Sequence, residues 1–358
     1  MHEKTAAELA ELIRNKEVKP SEVCEFYLSQ SNNSLAYLDA DRAMDQARAL
    51  DGEPAISPIF GLPIAIKDNI STSDMPTTCG SKMLSNYTSP FDATVVERIK
   101  SAKGIIMGKV KMKEFGESVT SDGIAPLVLA DTARGSVVYK PTYGAVSRYG
   151  VVSSDRVGII ARTVADAALF AGVISGYDPR DARSNPSYAP DFGLSEPTED
   201  LAEIKAIKAG SFEVPYYCHT AYAVISLAEK SSNLARYDGM RYGYRSENFN
   251  DLDELYINSR MEGFTRETIK QILLGTYMLT GDNIDKYYKK ARMAQEKIKT
   301  DIASAFREYD VLLADPILAD ITGYPRVILP NGRCIIGKPY EDPKLLNLAR
   351  AYEKEAVS

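Results

Sequence analysis

Histidine is nearly absent: His2 and His219 are the only two in 358 residues. A Ser-His-Asp triad, or a metal centre built on imidazole, has almost nothing to be made from. His2 lies in the terminal stretch, and His219, inside the tyrosine-rich run Tyr216–Tyr217–Cys218–His219, is expected to pack. Cysteine is scarce as well. Cys24, Cys79, Cys218 and Cys334 form no CxxC pair, and their spacing is too wide for a zinc knuckle. They read as reduced, buried thiols, with no metal and no cofactor implied. No apolar run approaches the ~18 residues that span a bilayer, and the N-terminus opens on charges rather than on an apolar signal core. The cytoplasm is therefore the expected location. Basic excess is lacking too: the formal net charge is -6, and the pI is about 5.3. A broad nucleic-acid footprint is not expected, so any contact with RNA would run through a partner.

What is present suits a globular chain, 44% hydrophobic and 26% charged. Thr5–Ala6–Ala7–Glu8 has capping-box spacing, followed by Leu9, Leu12 and Ile13 on one helical face. Pro20–Ser21–Glu22 opens a second helix. Residues 1–50 thus read as an N-terminal helical layer, and 51–58, with Gly52 and Pro54, as loop. Short buried strands are expected at 61–66, 104–108 and 125–129, and helices at 93–102 and 162–174. Residues 178–197 read as loop and 251–309 as helical, and a final strand–helix unit starts at Val327. Strands alternating with helices predict an α/β fold: one domain over 1–358, with a mixed, largely parallel sheet covered by helices on both faces. Residues 210–310 form its helical substrate or partner subregion.

Ligand sites in such sheets gather at the carboxyl ends of strands, where Lys67 stands. Burial there would favour a neutral amine able to act as a base; a solvated lysine after a strand is the plain alternative. The second candidate is Asp131–Thr132–Ala133–Arg134–Gly135–Ser136, a glycine-containing turn that could expose a serine hydroxyl and aim N–H groups at an oxyanion. Gly-x-Ser turns are common, so this pattern alone is weak.

Ordered segments then add weight. Gly61-Leu-Pro-Ile-Ala-Ile-Lys67-Asp-Asn-Ile70, Asp92 to Arg98, Lys140-Pro-Thr-Tyr-Gly to Gly150, Gly176-Tyr-Asp-Pro-Arg-Asp181, Ser231 to Arg245, Leu274-Gly-Thr276 and Ile336-Gly-Lys-Pro339 follow one another. Together they resemble the amidase signature family, and within it the A-subunit group of aspartyl/glutamyl-tRNA amidotransferases. The resemblance implies a serine nucleophile, a bridging serine and a lysine base, which needs no histidine. Carried onto this chain, it points to Lys67 and Ser136 as the catalytic pair, with Thr132 and Gly135 at the oxyanion turn. It also implies Tyr222 on the substrate side. Gln271, beside Lys270, takes the position where the family has an arginine for the substrate carboxylate.

Part of the apparatus is missing. The glycine- and serine-rich loop that bears the bridging serine does not occur between Glu114 and Pro126, where Ser118 and Ser121 are the hydroxyls left and neither is expected to replace it. Ala133 and Arg134 interrupt the nucleophile motif. An amide at Gln271 lacks the charge and fork of a guanidinium. Because catalytic parts act as a unit, these losses together imply little or no glutamine hydrolysis. Three roles stay open: an A-subunit-like scaffold for the amidotransferase B and C subunits, an amidase for another small amide with a different relay, and a small-molecule binder using Tyr222, Lys270 and Gln271.

Overall fold

The computed structural model describes residues 1, 4–30, 34–119, 123–152, 156–193 and 208–357. The N-terminal helix α1 (Ala6–Arg14) starts at the expected capping box: Thr5 and Glu8 each accept the other's backbone N–H. Ala6, Leu9, Ala10 and Ile13 form its buried stripe. Asp166 ties it down, accepting the N–H of Ala7 at 2.9 Å from inside helix Val164–Ile174. Helices Pro20–Gln30 and Ala40–Leu50 complete this layer.

Ten strands form one sheet in the order β1-β3-β2-β4-β6-β5-β9-β10-β8-β7. They are β1 (Leu35–Leu38), β2 (Pro63–Lys67), β3 (Ile105–Val110), β4 (Leu127–Leu129) and β5 (Val137–Lys140), then β6 (Ile159–Ala161), β7 (Ala209–Ser211), β8 (Val311–Leu313), β9 (Arg326–Ile328) and β10 (Cys334–Ile336). The sheet is mixed, as expected, but the parallel share is smaller. Among the described residues only β2–β3, β2–β4 and β7–β8 pair in parallel. The other six pairings are antiparallel. Residues 329–333 alone join β9 to β10, a hairpin connection that antiparallel neighbours allow and parallel ones do not. β2 through β6 are buried throughout and read as continuous apolar runs, because both faces are covered.

A second core gathers beside the sheet, where Cys218, Ile225, Ile298, Ile302, Leu318 and Ile336 pack. It joins helix Cys218–Leu234 to helices Lys290–Ala305 and Ile317–Thr322. Helix Arg266–Leu279 lies against Cys218–Leu234 so closely that a Cβ on Gly275 would meet the Leu227 carbonyl at 2.1 Å. All four cysteines are buried and free. His219 is exposed near the start of its helix rather than packed, since Cys218 and Ala221 take the buried face. No helix among the described residues is long and apolar enough to cross a membrane.

Candidate functional site

Strand register fixes which candidates can meet. Ile64, Leu127, Ala161 and Val137 form one row across β2, β4, β6 and β5; Ile66, Leu129, Ile159 and Tyr139 form another. Lys67 follows the second row, whereas Ser136 precedes the first. The two are offset by four residues along the strands, about 13 Å, and by three strand spacings, about 14 Å. The sequence pattern groups Lys67 with Ser136; the structure separates them. β5 runs in the same direction as β2, so Ser136 enters the sheet at the end opposite to the one from which Lys67 leaves.

At the Lys67 end the partner is Asp131. β2 and β4 run in parallel, so both deliver their following residues to one edge. The Lys67 ammonium donates to Asp131 Oδ2 at 2.6 Å, with both side chains under one tenth exposed. Burial pushes the Asp131 carboxyl up, but the charges of Lys67 and Lys140 and the hydrogen bonds from Lys67 and Ser118 outweigh it and hold it below the usual carboxylate range.

Ser118, one of the two hydroxyls left in the shortened stretch and not expected to replace the bridging serine, completes this group. Its hydroxyl donates to Asp131 Oδ1 at 2.6 Å, and its N–H reaches the same oxygen at 2.7 Å. The same hydroxyl oxygen accepts the N–H of Asp131 at 3.2 Å and of Thr132 at 3.1 Å. Its proton and lone pairs are therefore all engaged. Thr132, expected at an oxyanion turn, commits its N–H to this serine. The signal for Asp131 was readable: two adjacent parallel strands ending in a lysine and, two residues on, an aspartate. Ser118 stood out only as a hydroxyl left in the shortened stretch, and no local spacing tied it to Asp131, 13 residues on. Ser121 lies outside the described residues.

The cavity beside Lys67 is about 10 Å³, lined also by Asn69, Asp131, Arg156 and Gly158. That is room for about one water. Arg156 forms its partition: the guanidinium donates to Pro141 O at 2.8 Å, to Ala319 O at 3.0 Å and to Tyr324 O at 2.5 Å, and reaches Asp320 at 3.3 Å. Beyond Arg156 lies a cavity of about 610 Å³, which Arg156 also lines. Tyr222 stands there, with Tyr143, Glu229 and Arg292. Gln271 and Lys270 are not among its lining residues. Instead Gln271 Oε1 accepts from the half-buried Lys230 at 2.6 Å, holding a helix pair together. Tyr222 and Gln271 are thus not brought to one site.

Ser136 and Gly135 line a third cavity of about 380 Å³ at the far sheet end, with Lys4, Tyr27, Arg134 and Arg162. Gly135 has φ +78°, whereas Ala133 and Arg134 are not in the left-handed region. The turn therefore places its strained position on the one glycine it contains. No group of three or more potential metal-ligating side chains occurs among the described residues.

Comparison with known proteins sets this geometry beside its relatives. The amidase family model matches residues 25–125, 135–208 and 201–320, and its break between 125 and 135 brackets Asp131 and Arg134. The glutamyl-tRNA(Gln) amidotransferase A-subunit of Sulfurihydrogenibium sp. (strain YO3AOP1) is 34% identical, covering 98% of this chain and 96% of the relative. Its counterpart from Persephonella marina (strain DSM 14350 / EX-H1) is 33% identical, covering 97% and 96%. The first alignment runs to 468 positions against a chain of 358 residues, so that relative carries internal segments absent here. Among solved structures, the native peptide amidase from Stenotrophomonas maltophilia superposes with a TM-score of 0.77 at 20% identity, covering 99% of this chain and 97% of that one. An amidase family protein from Bacillus anthracis str. Ames gives 0.74 at 22%, covering 99% and 91%. This chain belongs to the amidase family.

Proposed function

We propose that this chain is an A-subunit-like amidase-family protein that has lost glutamine hydrolysis and serves as a binding component. One observation supports this reading above the others: the family's lysine is locked into a buried ion pair with Asp131, beside a cavity of about 10 Å³. A base must reach the proton it abstracts, either directly or through one water, in a pose that a substrate can adopt. A space of that size admits no carboxamide. Ser136 is out of reach, and Ser118 is fully hydrogen-bonded, so neither offers an activated oxygen.

The identity to A-subunit sequences supports a role beside the B and C subunits of a tRNA-dependent amidotransferase, with tRNA met through those partners. Such a role needs the scaffold and its surfaces but not the lysine. The test has two arms on the full chain. Ammonia release from glutamine, together with labelling by a fluorophosphonate probe, should stay at background for wild type and for Ser136→Ala and Ser118→Ala alike. Co-expression with B and C subunits should yield a complex that survives gel filtration. Probe labelling at Ser118 or Ser136, with ammonia above background, would overturn the loss of hydrolysis; a partnerless monomer would overturn the scaffold role.

A further inference from the structure

Among the described residues, Arg156 alone lines both the space of about 10 Å³ beside Lys67 and the cavity of about 610 Å³ that holds Tyr222. Its position along the chain and the end of its side chain belong to different sides. Val157 and Gly158, the next two residues, line the small space with Lys67 and Asp131. The guanidinium ends on Ala319, Asp320 and Tyr324, in a segment whose Asp320, Ile321, Thr322 and Gly323 line the large one. The side chain therefore runs from one space to the other.

It is also held in place. Its acceptors are three main-chain carbonyls and one carboxylate: Pro141 O at 2.8 Å, Ala319 O at 3.0 Å, Tyr324 O at 2.5 Å and Asp320 Oδ1 at 3.3 Å. Pro141 follows β5, whereas Ala319 and Tyr324 lie in and just beyond helix Ile317–Thr322, so the fork ties two separate segments. A carbonyl moves only with its backbone, and a guanidinium is never deprotonated, so neither side of these contacts lets go readily. Arg156 is 8% exposed.

We propose that Arg156 is a fixed plug: it closes the route from the large cavity to the Lys67–Asp131 pair, and without it a small molecule in that cavity reaches the lysine's pocket. The inference rests on the reading of Lys67 as sealed from substrate and names what seals it. The two fail separately, because ammonia release by wild type tests that reading and accessibility of the small space tests the plug.

The test puts a thiol in the small space. Asn69 lines it and is 4% exposed, so N69C places a buried cysteine there. Full-length protein at pH 8 is treated with methyl methanethiosulfonate, a small uncharged thiol reagent, and labelling at each cysteine is followed by peptide mass spectrometry. Cys24, Cys79, Cys218 and Cys334 are all buried and serve as the gauge of any opening of the fold. With Arg156 present, the thiol of N69C reacts no faster than those four. In N69C/R156A its rate rises about tenfold or more while theirs stay unchanged. Asp320 keeps Arg326 at 2.7 Å in that variant, so its carboxylate is not left bare. If R156A nonetheless exposes the native thiols, R156Q, shorter than arginine but still able to donate to one of the carbonyls, replaces it and is read in the same way. Adding S226W, which sets a bulky ring on the wall of the large cavity, slows the reaction again. Fast labelling of N69C with Arg156 in place, equal rates with and without Arg156, or a rate that S226W leaves unchanged overturns the proposal.

Discussion

Lys67 and Ser136 stand at opposite ends of one sheet, because β2 ends at the edge where β5 also ends, and Ser136 comes before β5 begins. The lysine therefore works as half of a buried ion pair, and its loss should be felt as stability. Lys67→Met leaves the Asp131 carboxylate buried and without its cation, which costs about 3 kcal/mol or more. Ser136→Ala should change stability by about 1 kcal/mol or less. Urea unfolding of the two variants distinguishes them. In Lys67→Met/Asp131→Asn the charge is gone from both sides, so the double variant should lose less than the sum of its parts. Additive losses would mean that the pair contributes nothing as a pair.

The same pair sets an acid limit. The Asp131 carboxyl is held low in the fold, so the unfolded chain binds the extra proton first as pH drops. Its stabilising contribution is complete above the unfolded carboxylate pKa of about 3.9 and is lost as pH falls below that value. The stability difference between wild type and Asp131→Asn should be constant from pH 5 to pH 7 and shrink below about pH 4. A difference that grows on acidification would reverse the sign.

The thiols give a third test. Burial raises Cys24 and Cys218 to about 11 and Cys334 to about 12, and pushes Cys79 higher still. Only thiolates attack a disulfide reagent. At pH 8 the native protein should react at none of the four positions on the timescale of minutes, and at all four once unfolded. Fast reaction at one cysteine in native buffer would show that its surroundings open locally.

Much of this was legible from residue types, and the losses have physical causes. The capping box at Thr5 and Glu8, the strand ending at Lys67 and the helical run at Val164–Ile174 rest on local patterns, which need no knowledge of the partner strand, although that helix is apolar and buried nearly all round rather than amphipathic. Ser136 sits in a plausible motif, but its distance from Lys67 is set by the direction of β5, and strand direction is not written in a four-residue segment. Ser118 and Arg156 act over 13 residues or more of chain separation, so no local spacing announces them. Gln271 stood out only through resemblance, and the helix pair that uses it to hold Lys230 is a tertiary fact.

Lys109 makes the sharpest prediction, because it is fully buried, one residue before the end of the β3 strand. Its ammonium donates to the Ile70 carbonyl and, at 3.0 Å, to the Thr77 hydroxyl. Desolvation lowers its pKa from 10.5 to about 8, against the opposing pull of Asp68. Between those two pH values the unfolded chain holds a proton that the folded chain has released, so stability rises with pH there. Below about pH 8 both states are charged, and the fold bears the full burden of a buried ammonium. The burden corresponds to roughly 3 kcal/mol, relieved by about pH 10.5. Tyrosines and cysteines titrate in the same window and pull the other way, so wild type alone will not isolate the effect. Lys109→Met does: it fills similar volume without the charge. The stability of wild type minus that of Lys109→Met should increase by roughly 3 kcal/mol from about pH 7.5 to about pH 10.5, measured by urea unfolding at each pH. A flat difference would mean that Lys109 keeps its proton throughout, with Asp68 compensating for the desolvation.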